Sequence, residues 1–467
     1  MKDRIAEIRL FERAPIWRSV LSLAVPTVIS QIILVIYNMA DTFFIGLAGS
    51  DAKLTAVTVC MPAFMFLSAI SNLFGIGGAS VISRAMGRGD ARRVGLASAF
   101  AFWGCLATTL VYSLGAALLT DPFVNLLGGV DPAVHADACR YLRWTVVLGG
   151  AAMSLNALLG HLVRSQGRSV AAGFGVALGG VLNLALDPLF MFVLLPKGRE
   201  VVGAAIATSL SNLIATAYFT VLMTVLRRRT ALRFRPSRAA LRDGIPAAVL
   251  GAGLPACLMT LCENLSYAVL DNLMALSGTA VQAGIGVAKK INMLAHCMVR
   301  GMAQGVLPLI GYNYASGDYR RMRDAVTFSG TISVVLACAC MAISLLFSES
   351  LTGLFIRHAS PSADFGAAFL RILSIGGPFS ACAYAIISFF QATGRGGKSL
   401  LLAILRKGVL DIPMMFMLLR ASPVYGIVWA TPIADLMCCM TSLALFIAFV
   451  RTLPGRPELR AAVPAAR

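Results

Sequence analysis

Asn183 and Asp187 stand four residues apart in Leu182-Asn183-Leu184-Ala185-Leu186-Asp187-Pro188, a spacing that puts both side chains on one face of a helix. Pro188 lacks an N–H and frees a carbonyl of the preceding turn. A carboxylate, an amide oxygen and a free carbonyl are hard ligands, suited to Na+ or a proton rather than a soft metal. Thr208 offers a hydroxyl from the next element. The alternative is an interhelical hydrogen-bond clasp that holds no ion. Asp41, in Tyr37-Asn38-Met39-Ala40-Asp41-Thr42, is a second carboxylate of the same half. It reads either as a cation or proton site or as a helix-end carboxylate hydrated at an interface.

The second half carries a different set. Glu263 reads as a counter-ion for a cationic substrate, as a proton carrier, or as half of a buried ion pair with Lys289, Lys290 or Arg300, His296 lying one turn before the arginine. Lys407 and Asp411 have the i,i+4 spacing of an internal pair, and Asp435 lies deep in the last apolar run. Asp271 and Asp364 fall at the ends of such runs. There is no GxSxG, HExxH or Walker pattern and the chain has four histidines, so an enzyme is not expected and ion-gradient coupling is the default over ATP hydrolysis. The 11 cysteines show no CxxC or Cys/His cluster and read as apolar packing residues, among them the Cys338/Cys340 and Cys438/Cys439 pairs.

The elements that must position these groups are membrane spans. Of 467 residues, 58% are hydrophobic and 13% charged, too little polar surface for a soluble chain. Uncharged runs such as 54–83, 94–120 and 201–226 exceed the ~20 residues that cross the hydrocarbon layer as a helix. Twelve spans follow, near 18–46, 54–82, 94–120, 141–163, 169–195, 201–226, 245–275, 281–312, 325–349, 366–392, 399–419 and 426–450. An ionisable group inside one costs roughly 2.5–3.5 kcal/mol on insertion scales, so the retained acids need a partner or a hydrated cavity.

The formal net charge of +19 invites a nucleic-acid reading, but its placement argues against one. With the N-terminus cytoplasmic, 27 of the 40 Lys and Arg fall on the cytoplasmic side and seven on the outer side. That is the positive-inside pattern with both termini inside, the basic loops meeting anionic lipid heads. The segment 1–17 is read as a cytoplasmic lead-in and not as a removable signal, 227–244 as a basic cytoplasmic linker, and 451–467 as a cytoplasmic tail.

The chain is also duplicated. Gly89-Asp90-Ala91-Arg92-Arg93 returns as Gly317-Asp318-Tyr319-Arg320-Arg321, Pro26 as Pro255, and Gly203, Ala207 and Thr208 as Gly426, Ala430 and Thr431, which sets Asn212 against Asp435. The offsets are 228, 229 and 223. Each copy holds six spans, and an even number makes the copies parallel, an arrangement found in transporters. The expected fold is therefore an all-α membrane protein with lobes at 18–226 and 245–450.

These residues resemble the MATE (multidrug and toxic compound extrusion) transporters: Asp41 in Met-Ala-Asp-Thr, Asn183 with Asp187-Pro188, Gly203 to Thr208, and Gln304-Gly305-Val306-Leu307-Pro308-Leu309-Ile310-Gly311-Tyr312-Asn313-Tyr314. Gly426 to Asp435 is similar to the prokaryotic branch with DinF-like and MepA-like members. The resemblance runs from about 15 to 450. It implies two lobes in a V, alternating access, and exchange of Na+ or H+ for cationic amphiphilic drugs, with no other cofactor. It implies a coupling-ion site at Asp41, Asn183, Asp187 and Thr208, Na+ being the metal such a site would take. Asp41, Glu263, Gln304 and Asp435 are its substrate-binding candidates. It implies a monomer in the bacterial plasma (inner) membrane, partnered by small molecules and lipids and not by nucleic acid. Arg300, where relatives are usually apolar, and a tenth span with no acid after Arg371 depart from the family pattern and favour the ion-pair reading of Glu263. Two other readings stand beside antiport. One is a flippase for a lipid-linked or amphiphilic substrate, and the other an uncoupled channel or scaffold.

Overall fold

The computed structural model describes residues 10–47, 51–129, 131–227, 230–356 and 360–453, helical almost throughout and without a strand among them. Twelve helical rods follow in chain order. The first six are α1 (Ile16–Leu47), α2 (Asp51–Gly87), α3 (Ala91–Leu118), α4 (Pro132–Leu148 continued by Gly150–Arg164), α5 (Ser169–Leu194) and α6 (Glu200–Leu226). The second six are α7 (Ile245–Ala275), α8 (Thr279–Ser316), α9 (Tyr319–Leu346), α10 (Pro361–Ile375 continued by Gly377–Ala392), α11 (Gly396–Ile404 through Ile412–Ala421) and α12 (Tyr425–Arg451). α4 and α10 bend by 48° and 43° at Gly149 and Gly376, equivalent positions of the two halves. α11 carries Arg406, Lys407 and Asp411, all buried, in a π-helical stretch at its middle, Leu405–Asp411.

The helices overrun the apolar stretches that announce them. α4 begins at Pro132 rather than near 141, capped by the Asp131 carboxylate, which accepts from the Ala133 N–H. α8 runs from Thr279 to Ser316 rather than 281–312. Helical hydrogen bonding continues into polar sequence past the lipid, so the ends of these rods stand outside it.

The repeated loops have one cause. Gly89 (φ 73°) and Gly317 (φ 82°) end α2 and α8 in the left-handed region, where a side chain is disfavoured. Asp90 and Asp318 then cap α3 and α9 by accepting from the N–H groups of Arg93 (2.8 Å) and Arg321 (3.0 Å). These loops, the start of α1 and the interlobe linker share one face of the molecule, here the basic face.

Two six-helix lobes, α1–α6 and α7–α12, meet across small residues. A Cβ on Gly301 or Gly305 of α8 would lie 2.8 and 2.7 Å from the Val28 and Ala24 Cα atoms of α1. α2 packs against α7 where Gly77 meets the Val249 carbonyl and Gly253 the Leu73 carbonyl. Further toward the basic face, Gly87 abuts the Tyr312 carbonyl and the Ser80 hydroxyl donates to the Gln391 carbonyl (2.5 Å). Each of these contacts lies in the half of its helix nearer the basic face, where the lobes are closed on one another.

Candidate functional site

α1 and α5 run side by side because α5 presents a glycine stripe. A Cβ on Gly173 would fall 2.6 Å from the Pro26 carbonyl, and one on Gly180 3.1 Å from both Ile33 and Tyr37. Glycines at this spacing let two backbones approach closely in a membrane. The next step of seven along α5 reaches Asp187, and the same register on α1 reaches Ala40 and Asp41. Packing therefore brings together two carboxylates 146 positions apart in sequence, within electrostatic range of one another.

Asp41 is 7% exposed and Asp187 fully buried. Asp41 is thus an interior carboxylate and not one hydrated at a helix end. Asn183 donates through Nδ2 to Asp187 Oδ1 (3.0 Å) and to Thr208 Oγ1 (3.2 Å). All four residues of the proposed ion set lie in the first lobe, and Asn183 gathers Asp187 and Thr208 around its own amide. Below them, Asn156 of α4 donates to Asn212 Oδ1 (3.1 Å), whose own amide donates to the Thr208 carbonyl (2.9 Å). The Tyr37 and Tyr141 rings are in electrostatic reach of both carboxylates. Sequence reading passed over Tyr37, Tyr141 and Asn156. Tyr37 sits four residues before Asp41, and that spacing was a usable signal.

The donor set is short of donors. Asp41 Oδ1, Asn183 Oδ1, Asp187 Oδ2 and Asn156 Oδ1 are buried acceptor oxygens without a hydrogen-bond partner, and no Lys or Arg pairs with either carboxylate among the described residues. Buried polar atoms are satisfied in more than nine cases of ten, and an unpaired buried charge is strongly unfavourable. Buried, unpartnered oxygen lone pairs with no Lys or Arg paired to the carboxylates fit a hard cation or protons. α5 turns π-helical at Leu189–Leu194 directly after Pro188, loosening the backbone beside Asp187.

The second lobe repeats this geometry with its positive charge built in. Asn183 and Asp187 map at an offset of 224 onto Lys407 and Asp411, and Thr208 maps at 223 onto Thr431. Lys407 Nζ donates to Asp411 Oδ2 (2.8 Å), Thr431 to Asp411 Oδ1 (2.9 Å) and Ser266 to Oδ2 (2.6 Å). The ammonium of Lys407 therefore sits where the first lobe has an amide and unpartnered oxygens. Asp435 accepts from Arg406 Nε (2.7 Å), and Arg406 also donates to Ser380 (2.8 Å) and lies over the Tyr384 ring (4.4 Å). Arg300 bonds Glu263, and Tyr384 donates to Glu263 Oε1 (3.1 Å). Three acids and three bases balance in one interior network. Of the partners considered for Glu263, Arg300 is the one found; Lys289 bonds Asp271 instead, and His296 faces Ser380. Arg406, fully buried, was missed because an arginine in an apolar run gives no hint of its partner 29 residues on. Gln304 is half-buried beside Gly305 at the interlobe seam, its Oε1 unpartnered.

One expectation is overturned. His135 and Cys139, four residues apart on α4, meet Asp121 from the short helix Thr120–Leu126. The chain does hold a Cys/His cluster, brought together by the α3–α4 connection.

The family model MatE matches residues 26–189 and again 255–417, the second match starting 229 residues after the first, as the internal repeat requires. Over 445 residues the chain is 27% identical to the multidrug export protein MepA of Staphylococcus saprophyticus, covering 95% of this chain and 96% of that one. The MepA of Staphylococcus haemolyticus is 27% identical over 450 residues, with 96% of each covered. Among solved structures, a MATE protein in complex with MaL6 superposes with a TM-score of 0.87 at 24% identity, over 96% of this chain and 98% of that one. An outward-facing multidrug resistance MATE transporter of the MOP superfamily gives 0.87 at 23% identity, over 95% and 98%. These superpositions bear on the fold.

Proposed function

The chain belongs to the MatE family, and from that premise we propose that it is a secondary active exporter that exchanges Na+ or H+ for small, cationic amphiphilic molecules by alternating access. The observation that carries this reading is the contrast between the lobes. The first collects two carboxylates and two amides whose buried oxygens lack a positive partner. The second answers the equivalent Asp411 with its own lysine. An exchanger needs a site whose neutralising charge comes and goes, and only the first lobe leaves that role open. The export names of the MepA relatives support the direction of transport.

In this reading the basic face is cytoplasmic, as are both termini, and the membrane is the inner one. The closed seam from Ala24 and Gly305 to Gly87 and Tyr312 then seals the cytoplasmic side, and the site is reached from outside. A Na+ ion held by Asp41, Asp187, Asn183 and Thr208, or protons on the two carboxylates, neutralises the site and lets α1 and α5 close over it. A cationic substrate competes for the same carboxylates, so each ligand weakens the other by the same factor. Asp41 and Gln304 are the side chains assigned to substrate. Glu263 and Asp435 are assigned to the ion-pair network, because Arg300 and Arg406 already neutralise them. That balance also weighs against the flippase reading, since Arg300, Arg406 and Lys407 are already held by acids rather than free for an anionic headgroup.

The test is efflux of ethidium from proteoliposomes under a Na+ gradient and a pH gradient imposed separately. Asp41→Asn and Asp187→Asn should each lose gradient-driven efflux. Full efflux in both variants, or flux indifferent to both gradients, would sink the proposal, the latter in favour of an uncoupled channel.

A further inference from the structure

The Asp121, His135 and Cys139 cluster lies on the face opposite the basic one, where α3 gives way to α4, and shares no residue with the carboxylate site. Its geometry is that of a metal centre. His135 Nδ1 is 2.8 Å from the Gly129 carbonyl, which fixes that nitrogen as the N–H and turns the Nε2 lone pair outward. The other two groups converge on that nitrogen: Asp121 Oδ1 at 3.2 Å and Cys139 Sγ at 3.4 Å, with 3.6 Å between sulfur and oxygen. Zinc bonds of about 2.3 Å to sulfur and 2.0–2.2 Å to nitrogen and oxygen, at tetrahedral angles, require ligand separations of about 3.4–3.6 Å. The three observed distances agree to within about 0.2 Å.

A catalytic Cys-His-Asp relay does not fit, because it would place the acid on Nδ1, and here the acid and the thiol face the same nitrogen. Helix geometry puts His135 and Cys139 on one face of α4, and the positive φ of Gly128 (101°) turns the chain between the two helices. Cys139 is buried beneath the site while the Asp121 side chain is 70% exposed, so an ion enters from solvent.

We propose that Asp121 Oδ1, His135 Nε2 and Cys139 Sγ form a site for a borderline-soft divalent cation, Zn2+ being the best match, that pins the short helix Thr120–Leu126 to the first turns of α4. Thiolate and carboxylate balance the ion's charge, and water completes the tetrahedron. Sulfur and imidazole ligation sets it apart from the hard-oxygen cluster between α1 and α5, so Na+ does not compete for it.

The experiment uses the full chain in detergent, freed of any histidine tag, stripped with chelator and titrated with Co2+ and then Zn2+. The expected result is one equivalent of Co2+ with a sulfur-to-cobalt charge-transfer band, displaced by Zn2+ and unmoved by excess Na+. Cys139→Ser should abolish the band although ten cysteines remain, and His135→Ala should weaken binding at least tenfold. Asp121→Asn, an exposed change that leaves the fold intact, should also weaken binding at least tenfold. Asp41→Asn/Asp187→Asn should bind normally, which separates this site from the exchange mechanism. No stoichiometric band in the unaltered chain, or an unchanged band in Cys139→Ser, would overturn the proposal.

Discussion

Asn183→Lys should give the first lobe the tethered cation that the second lobe already has. In the second lobe, Lys407 reaches Asp411 at 2.8 Å from the position four residues earlier, and Asn183 stands in the same relation to Asp187. Two unit charges at 2.8 Å attract by about 6 kcal/mol at an effective dielectric constant of about 20. Burying the ammonium costs several kcal/mol, leaving about 2 kcal/mol in favour of the internal pair. A coupling ion must then displace a competitor worth that much, so its apparent affinity should fall roughly thirtyfold. The fold should survive, because the second lobe shows that this helix pair tolerates the substitution. The assay is initial efflux rate in proteoliposomes against external Na+ at fixed pH, and against pH without Na+, with thermal melting in detergent as the folding control. A well-folded Asn183→Lys protein with an unshifted ion dependence would refute the idea that the two lobes differ by a missing cation.

The converse change, Lys407→Asn, leaves Asp411 buried and uncompensated, which typically costs 3–5 kcal/mol. Its melting temperature in detergent should drop, and high Na+ should raise it by more than it raises the parent's, whose cation-deficient site is in the first lobe; a loss that no cation relieves would contradict this. Arg406→Met should destabilise by a similar amount through Asp435, and the double variant Arg406→Met/Asp435→Leu should regain most of it, a non-additivity that a double-mutant cycle measures. Gly253→Ala drives a methyl group into the Leu73 carbonyl across the α2–α7 seam and should open the basic face, read as faster thiol labelling of a cysteine placed at Ser80. Phe11→Ala should loosen the same side, because the Phe11 ring stacks on Tyr312 of the second lobe at 5.0 Å and lies against Gly167 of the first. Its cost, about 3–5 kcal/mol for emptying an aromatic site, should appear as a lower melting temperature.

Much of this architecture follows from local sequence. Long apolar runs must be helical where no water can satisfy the backbone, so the spans, and the parallel relation of two six-span halves, were legible before any coordinates. The Asn183/Asp187 and Lys407/Asp411 pairs were legible too, because i,i+4 neighbours on a helix meet whatever surrounds them. Helix ends were not, since capping at Asp131 and Asp318 carries the rods beyond the hydrophobic signal.

What the tertiary structure alone decided is which distant charges meet. The glycine stripe Gly173, Gly180 sets the register that puts Asp187 beside Asp41. Close packing of α7, α8, α10, α11 and α12 assigns Arg300 to Glu263 and Arg406 to Asp435. The turn at Gly128 carries Asp121 to His135 and Cys139. Sequence gives each residue its charge and its helical face, but interactions between helices depend on crossing geometry and register. Those are set by many small contacts at once, and so the cation-deficient first lobe and the self-neutralised second became visible only in three dimensions.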